Sequence, residues 1–156
     1  MTTVDIFDAQ GHLHAVPSQS ISYRPAAYGI FIEHDQILLL RDQETDLLLV
    51  PGRHLAENEV PAQILRTYFQ EWAGITPRLG ALLFIENQYQ QEDGQFWQFS
   101  ALYYEVKRAS LASIAFPHQA GQYSPEWLPL DNIDRKQFQF GYEAVQAGKL
   151  YHQSSK

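Results

Sequence analysis

Residues 51–75 read PGRHLAENEVPAQILRTYFQEWAGI. A Pro-Gly turn opens the stretch, Pro61 stands where a helix would begin and Gly74 where it would end. Proline suits a first helical turn because the N–H it lacks has no partner there, and glycine accepts the left-handed conformation that closes a helix. The pattern predicts a helix over about Pro61 to Ala73. Advancing about 100° per residue from Ile64, the side chains of Pro61, Ile64, Leu65, Tyr68, Phe69 and Trp72 fall within an arc of roughly 140°. Gln63, Arg66, Thr67 and Gln70 take the opposite side, and Glu71 sits at the boundary. A core helix with one solvated face accounts for this pattern, and burying its rings is a large hydrophobic gain.

Strand signals lie on both sides of the helix. TVDIFDAQGHLHAV alternates around a turn at residues 8–11 and reads as a hairpin, followed by a connector over Pro17 to Ile21. Tyr28 to Glu33 and Gln36 to Arg41 flank His34-Asp35, a tight-turn pair, and Leu47 to Val50 is a short apolar run ended by Pro51-Gly52. Leu79 to Tyr89 and Gln95 to Val106 form a second long pair around Glu92-Asp93-Gly94. Lys107 to Gly121 is weakly patterned, EWLPL at 126–130 reads as a short strand, and Phe140 to Leu150 as a closing helix. Strands, helix, strands, helix predict an α/β class with a mixed sheet between helices; paired β runs speak against a doubly wound sheet. One domain over 1–156 is expected: hairpin and connector in 1–19, core in 20–150, and a frayed tail in 151–156.

The totals narrow the function. The chain has 156 residues, a net charge of −7 and no cysteine. That charge opposes binding to a nucleic-acid polymer, which needs a surplus of Lys and Arg, yet it permits a small anion held by a few cations. Without cysteine there is no disulfide framework and no thiolate metal site. Neither a signal peptide nor an apolar run of about 20 residues is evident, so a soluble, cytoplasmic protein without membrane contact is expected.

A strand, a loop carrying an acid, then a helix with an acid at the edge of its apolar face is a frame suited to a phosphate–metal site. This frame resembles the Nudix box, the signature of the MutT-like Nudix hydrolases. Pro51-Gly52 match its opening and Arg53 stands where a second glycine belongs. Glu59 matches the first glutamate. Thr67 replaces the arginine, Tyr68 the next glutamate and Trp72 the last, while Phe69, Glu71, Gly74 and Ile75 match. A rival register keeps Gly52 and Arg66 but places Asn58, Thr67 and Gln70 at acid positions and loses Glu59 and the closing glycine; the first register is preferred. AAYGIFIEHDQILLLRD, LLFIENQYQQEDGQFWQFSALYYEV and EWLPLDNI extend the likeness over roughly Ser20 to Leu150. The resemblance implies a Nudix-type α/β/α sandwich, here with an added N-terminal β-hairpin.

In that family the helix acids hold Mg²⁺ against a diphosphate while water attacks phosphorus. Mg²⁺ takes oxygen ligands in near-octahedral geometry. Positions 68, 71 and 72 share a helix face, and three carboxylates there would need a cation. With Tyr68 and Trp72 in two of them, Glu71 alone remains. The resemblance therefore implies a hydrolysis-deficient or very weak Nudix-fold protein. In it Glu59 and Glu71 are the residual catalytic candidates. Arg53, Tyr68, Trp72, Glu86 and Trp97 are the ligand-binding candidates, suited to a nucleotide-like or phosphorylated small molecule. No resident cofactor is expected, with Mg²⁺ required only where residual hydrolysis survives. Two alternatives stand beside this reading: an active Mg²⁺-dependent hydrolase of a nucleoside diphosphate linked to X, and a non-catalytic homodimer paired through the N-terminal hairpin. His12 and His14 share a strand face without a third ligand in evidence, and His54 lies in the box loop as an ordinary surface residue or a phosphate contact.

Overall fold

The structure is a computed structural model that describes residues 2–8, 10–109, 114 and 122–155. Turn chemistry sets its hairpins. β1 (Thr3–Phe7) and β2 (Leu13–Pro17) pair antiparallel as a separate two-stranded sheet. β3 (Ser22–Glu33) and β4 (Gln36–Asp42) join through His34 and Asp35, both at positive φ, as a twist-matched two-residue turn requires. β7 (Pro77–Glu92) and β8 (Gln95–Arg108) join in the same way through Asp93 and Gly94.

These hairpins merge into one mixed sheet. β3 and β8 run parallel from the Ser22–Trp97 pair to the Phe31–Val106 pair. The order is β5 (Leu48–Leu49), β4, β3, β8, β7, with β6 (Gly52–His54) added to β3 and β9 (Tyr123–Pro129) to β4. The two-residue period of the strands then builds two cores. On one face Ile30, Ile37, Leu39 and Tyr103 pack with Ala144 and Val145 of α2 (Tyr142–Ser154). On the other, Ala27, Phe31, Leu38 and Val106 pack with Leu65, Phe69 and Ala73 of α1 (Pro61–Ala73). The result is the expected sandwich, a mixed sheet between helices with an N-terminal hairpin. α1 ends at Gly74, whose φ of 66° is left-handed.

Several boundaries differ from the sequence reading. β3 begins at Ser22, not Tyr28, because β8 lies alongside it from the start. The connector after β2 contains a single 3₁₀ turn, Ser18–Ser20. β9 starts at Tyr123, where Asp42 is its partner. α2 runs on through most of the expected tail. There the hydroxyls of Ser154 and Ser155 donate to carbonyls of the preceding turn, and His152 meets Asp35 at 3.1 Å. β6, expected as loop, forms because Gly52, Arg53 and His54 lie against Tyr28, Ala27 and Ala26. Most of the weakly patterned stretch from Lys107 to Gly121 lies outside the described residues.

Candidate functional site

α1 presents the box positions as the angular reading placed them. Leu65, Phe69 and Ala73 are buried, Tyr68 and Trp72 half-buried, and Glu71 exposed. Tyr68 and Trp72, one helical turn apart, stack with ring centroids 5.7 Å apart and planes at 24°. Phe69 packs edge-on against both. Burial pushes the Tyr68 phenol up to about 12, although the Gly52 N–H donates toward its hydroxyl and favours the charged form. It is a neutral phenol at pH 7.

Gly52 sets this contact. Its φ is 156°, and a Cβ at this position would lie 2.1 Å from the Ala27 carbonyl oxygen and 2.6 Å from Tyr28 Cα. Only glycine lets β6 approach β3 so closely. The loop that follows is closed by Glu59. Its carboxylate accepts from the Ala56 N–H at 2.6 Å and from both terminal nitrogens of Arg53, at 2.9 and 3.3 Å. Arg53 first, then the Ala56 N–H, hold Glu59 below the usual carboxylate range.

Beside Gly52 and Tyr68 opens a cavity of 520 Å³. Tyr28, Tyr103 and Tyr123, with Gln88, Gln90 and Gln139, supply much of its polar lining; Leu40, Leu48, Val50 and Phe140 supply apolar walls. Tyr28 and Tyr103 stack at 5.1 Å with planes at 21°. Gln88, 2% exposed, donates to Glu86 at 2.9 Å and to the Tyr103 hydroxyl at 3.1 Å, and accepts from Gln90 at 3.2 Å. Tyr103 in turn donates to Glu86 at 2.9 Å, and the Gly141 N–H approaches the other Glu86 oxygen at 3.4 Å. Burial and then the Glu86 charge raise the Tyr103 phenol far above its ordinary value.

The charged lining is sparse: Asp42, Arg53 and His54. Burial raises the Asp42 carboxyl, but bonds from the Glu44 N–H and the Gln122 amide outweigh it, and the group is held below its ordinary value. His54 stacks on Phe99 at 3.7 Å, and its burial lowers the imidazole from its ordinary value, with Glu92 opposing and Arg24 adding to the shift.

The predicted site residues therefore separate. Arg53 and Tyr68 line the cavity. Glu86 reaches it through Tyr103 and Gln88. Glu59 is bound to Arg53 beside it, and Glu71 is exposed on α1 with no ion pair among the described residues. Trp72 packs on the Phe69 core, and Trp97 stacks on Phe99 with the Arg24 guanidinium 4.4 Å above its ring. Tyr28, Tyr103, Gln88, Gln90 and Asp42 also line the cavity and belong to no motif in the sequence. His12 and His14 meet Asp8 on the hairpin, at 3.6 and 2.7 Å.

No family model and no curated sequence matches the chain. Solved structures do. The MutT protein from Methanosarcina mazei Go1 superposes with a TM-score of 0.60 at 18% identity, over 87% of this chain and 98% of that one. A MutT NUDIX hydrolase from Burkholderia pseudomallei gives 0.61 at 14% identity, over 80% and 95%. A C. elegans Ap4A hydrolase gives 0.60 at 14%, over 86% and 99%. This chain has the Nudix fold. Nudix hydrolases are in general Mg²⁺-dependent, and the donor set on this Nudix-fold helix does not fit that ion. A hard divalent cation takes oxygen ligands. On the helix Tyr68 offers a neutral phenol, Trp72 offers no ligand and Glu71 offers a single exposed carboxylate; Glu59, just before the helix, is committed to Arg53. Among the described residues no three His, Asp or Glu side chains come together as a metal-holding group. Nor is any described helix long and apolar enough to cross a membrane.

Proposed function

We propose that this Nudix-fold protein binds a nucleotide-like or phosphorylated small molecule in the 520 Å³ cavity and hydrolyses diphosphates very slowly or not at all. One observation carries the reading. Where the family's acids would cluster, Tyr68 and Trp72 are stacked on one another, and Tyr68 lines the cavity as a neutral ring. The cavity falls within the size range of small-molecule sites, with aromatic walls and a few convergent polar groups.

Mg²⁺-dependent hydrolysis of a nucleoside diphosphate linked to X is the second reading. Exposed Glu71 and the fold shared with a MutT NUDIX hydrolase and an Ap4A hydrolase favour it. A homodimer through the N-terminal hairpin is the third, and the exposed cross-strand pair Phe7 and Leu13 favours it.

A thermal-shift screen of nucleosides, nucleotides and sugar nucleotides, run with and without Mg²⁺, tests the first reading. Stabilisation by a ligand without metal supports it. Metal-dependent phosphate release from the same panel, abolished by Glu71→Gln, replaces it with the second.

A further inference from the structure

The side chains that line the cavity are mostly neutral. Of the groups that could hold a phosphate there, Arg53 is already forked onto Glu59 and also donates to the His54 carbonyl at 2.9 Å. His54, the other basic side chain on the lining, lies flat against Phe99 and away from its charged form. Asp42 adds a carboxylate on the same wall, held by the Glu44 N–H and the Gln122 amide. Among the described residues, a phosphate entering this space would meet no basic side chain that lacks a carboxylate partner, Arg53 facing Glu59 and His54 lying 3.6 Å from Glu92, and it would face the negative charge of Asp42. To reach Arg53 the anion would have to displace Glu59 from the guanidinium, with the Asp42 carboxylate opposing it.

What the cavity offers instead is flat surface and neutral polar groups. The stacked Tyr28–Tyr103 pair forms one aromatic wall. Tyr28 and Gln139 line the space, and their side chains make no hydrogen bond among the described residues. Gln90 spends one amide N–H on Gln88, which leaves its carbonyl and second N–H. A phenol, two amides and stacked rings suit a planar heterocycle whose edge carries both donors and acceptors.

We propose that the cavity takes an uncharged heteroaromatic of the nucleobase or nucleoside class, with no phosphate inside it. The proposal rests on the cavity being the ligand site, as set out under Proposed function, and narrows that site's ligand.

Calorimetric titration of the full-length protein tests it, using adenosine, guanosine, cytidine and uridine against their 5′-diphosphates at about 50 and about 500 mM KCl. At least one nucleoside is expected to bind within about threefold of its diphosphate, with an affinity that salt leaves unchanged. Tyr28→Phe, which keeps the stacked wall, should weaken that nucleoside about fivefold, and Gln139→Ala, at an exposed position, should weaken it without altering the melting temperature. A diphosphate that binds more than about tenfold tighter than its nucleoside, with the advantage lost at high salt, overturns the proposal and leaves the ligand site intact. Absence of binding by every compound in the panel overturns both.

Discussion

The guanidinium of Arg53 lies fork to fork on the carboxylate of Glu59, Nη2 to Oε2 at 2.9 Å and Nη1 to Oε1 at 3.3 Å. The same carboxylate accepts from the Ala56 N–H. One ion pair thus closes the loop between β6 and α1, and it neutralises a cation that lines the cavity.

Glu59→Gln should lower the melting temperature modestly, since the pair is partly exposed to solvent. It should also change the pH dependence. The folded state holds the Glu59 pKa below its ordinary 4.5. Its contribution is therefore present above that value and lost as pH falls through the depressed folded pKa. Melting curves between about pH 5 and pH 3 should be flatter for the variant than for the parent.

His54 gives a second pH signature, in the neutral range. Burial holds its folded pKa below 6.5, so the unfolded chain takes up the proton first on acidification. Stability should fall as pH drops from 6.5 through the depressed folded pKa. His54→Gln removes the titration, and urea midpoints should show a weaker pH slope in that window.

Gly52→Ala drives a methyl group into the Ala27 carbonyl and the Tyr28 backbone. Separation of β6 from β3 should cost on the order of 2–3 kcal/mol and disturb the Tyr68 contact. Phe69→Ala, at a fully buried position, should cost about 3–5 kcal/mol. Urea denaturation measures both. Ligand affinity should fall in the glycine variant, whose change lies at the cavity wall.

Much of this fold is legible in the residues. Asp93-Gly94 and His34-Asp35 announce their turns through chemistry that tolerates positive φ. Pro61, Gly74 and the arc from Ile64 to Trp72 announce α1. β6 is not legible, because Gly52-Arg53-His54 is too short to show a period and exists only where Ala26–Tyr28 lies alongside. The cavity is legible only in part. Arg53 and Tyr68 belong to a motif, whereas Tyr28, Gln88, Tyr103 and Asp42 come from four different strands and no spacing in the chain relates them. Trp97 looks like a ligand platform in sequence, yet its neighbours are Arg24 and Phe99.

Returning acids to α1 should return a metal. In Tyr68→Glu/Trp72→Glu, two new carboxylates would share one face with Glu71, and the three would repel each other. The double variant should be less stable than the parent in chelator and should regain stability with millimolar Mg²⁺. Melting temperature with and without the ion reads both effects.

The most direct measurement is made on the unaltered protein: calorimetric titration with Mg²⁺, together with pyrophosphate-bond cleavage assayed on nucleoside diphosphate derivatives. With rings at positions 68 and 72, saturable metal uptake and turnover should both be absent. Tight Mg²⁺ binding and rapid cleavage, each lost in Glu71→Gln, would contradict the account.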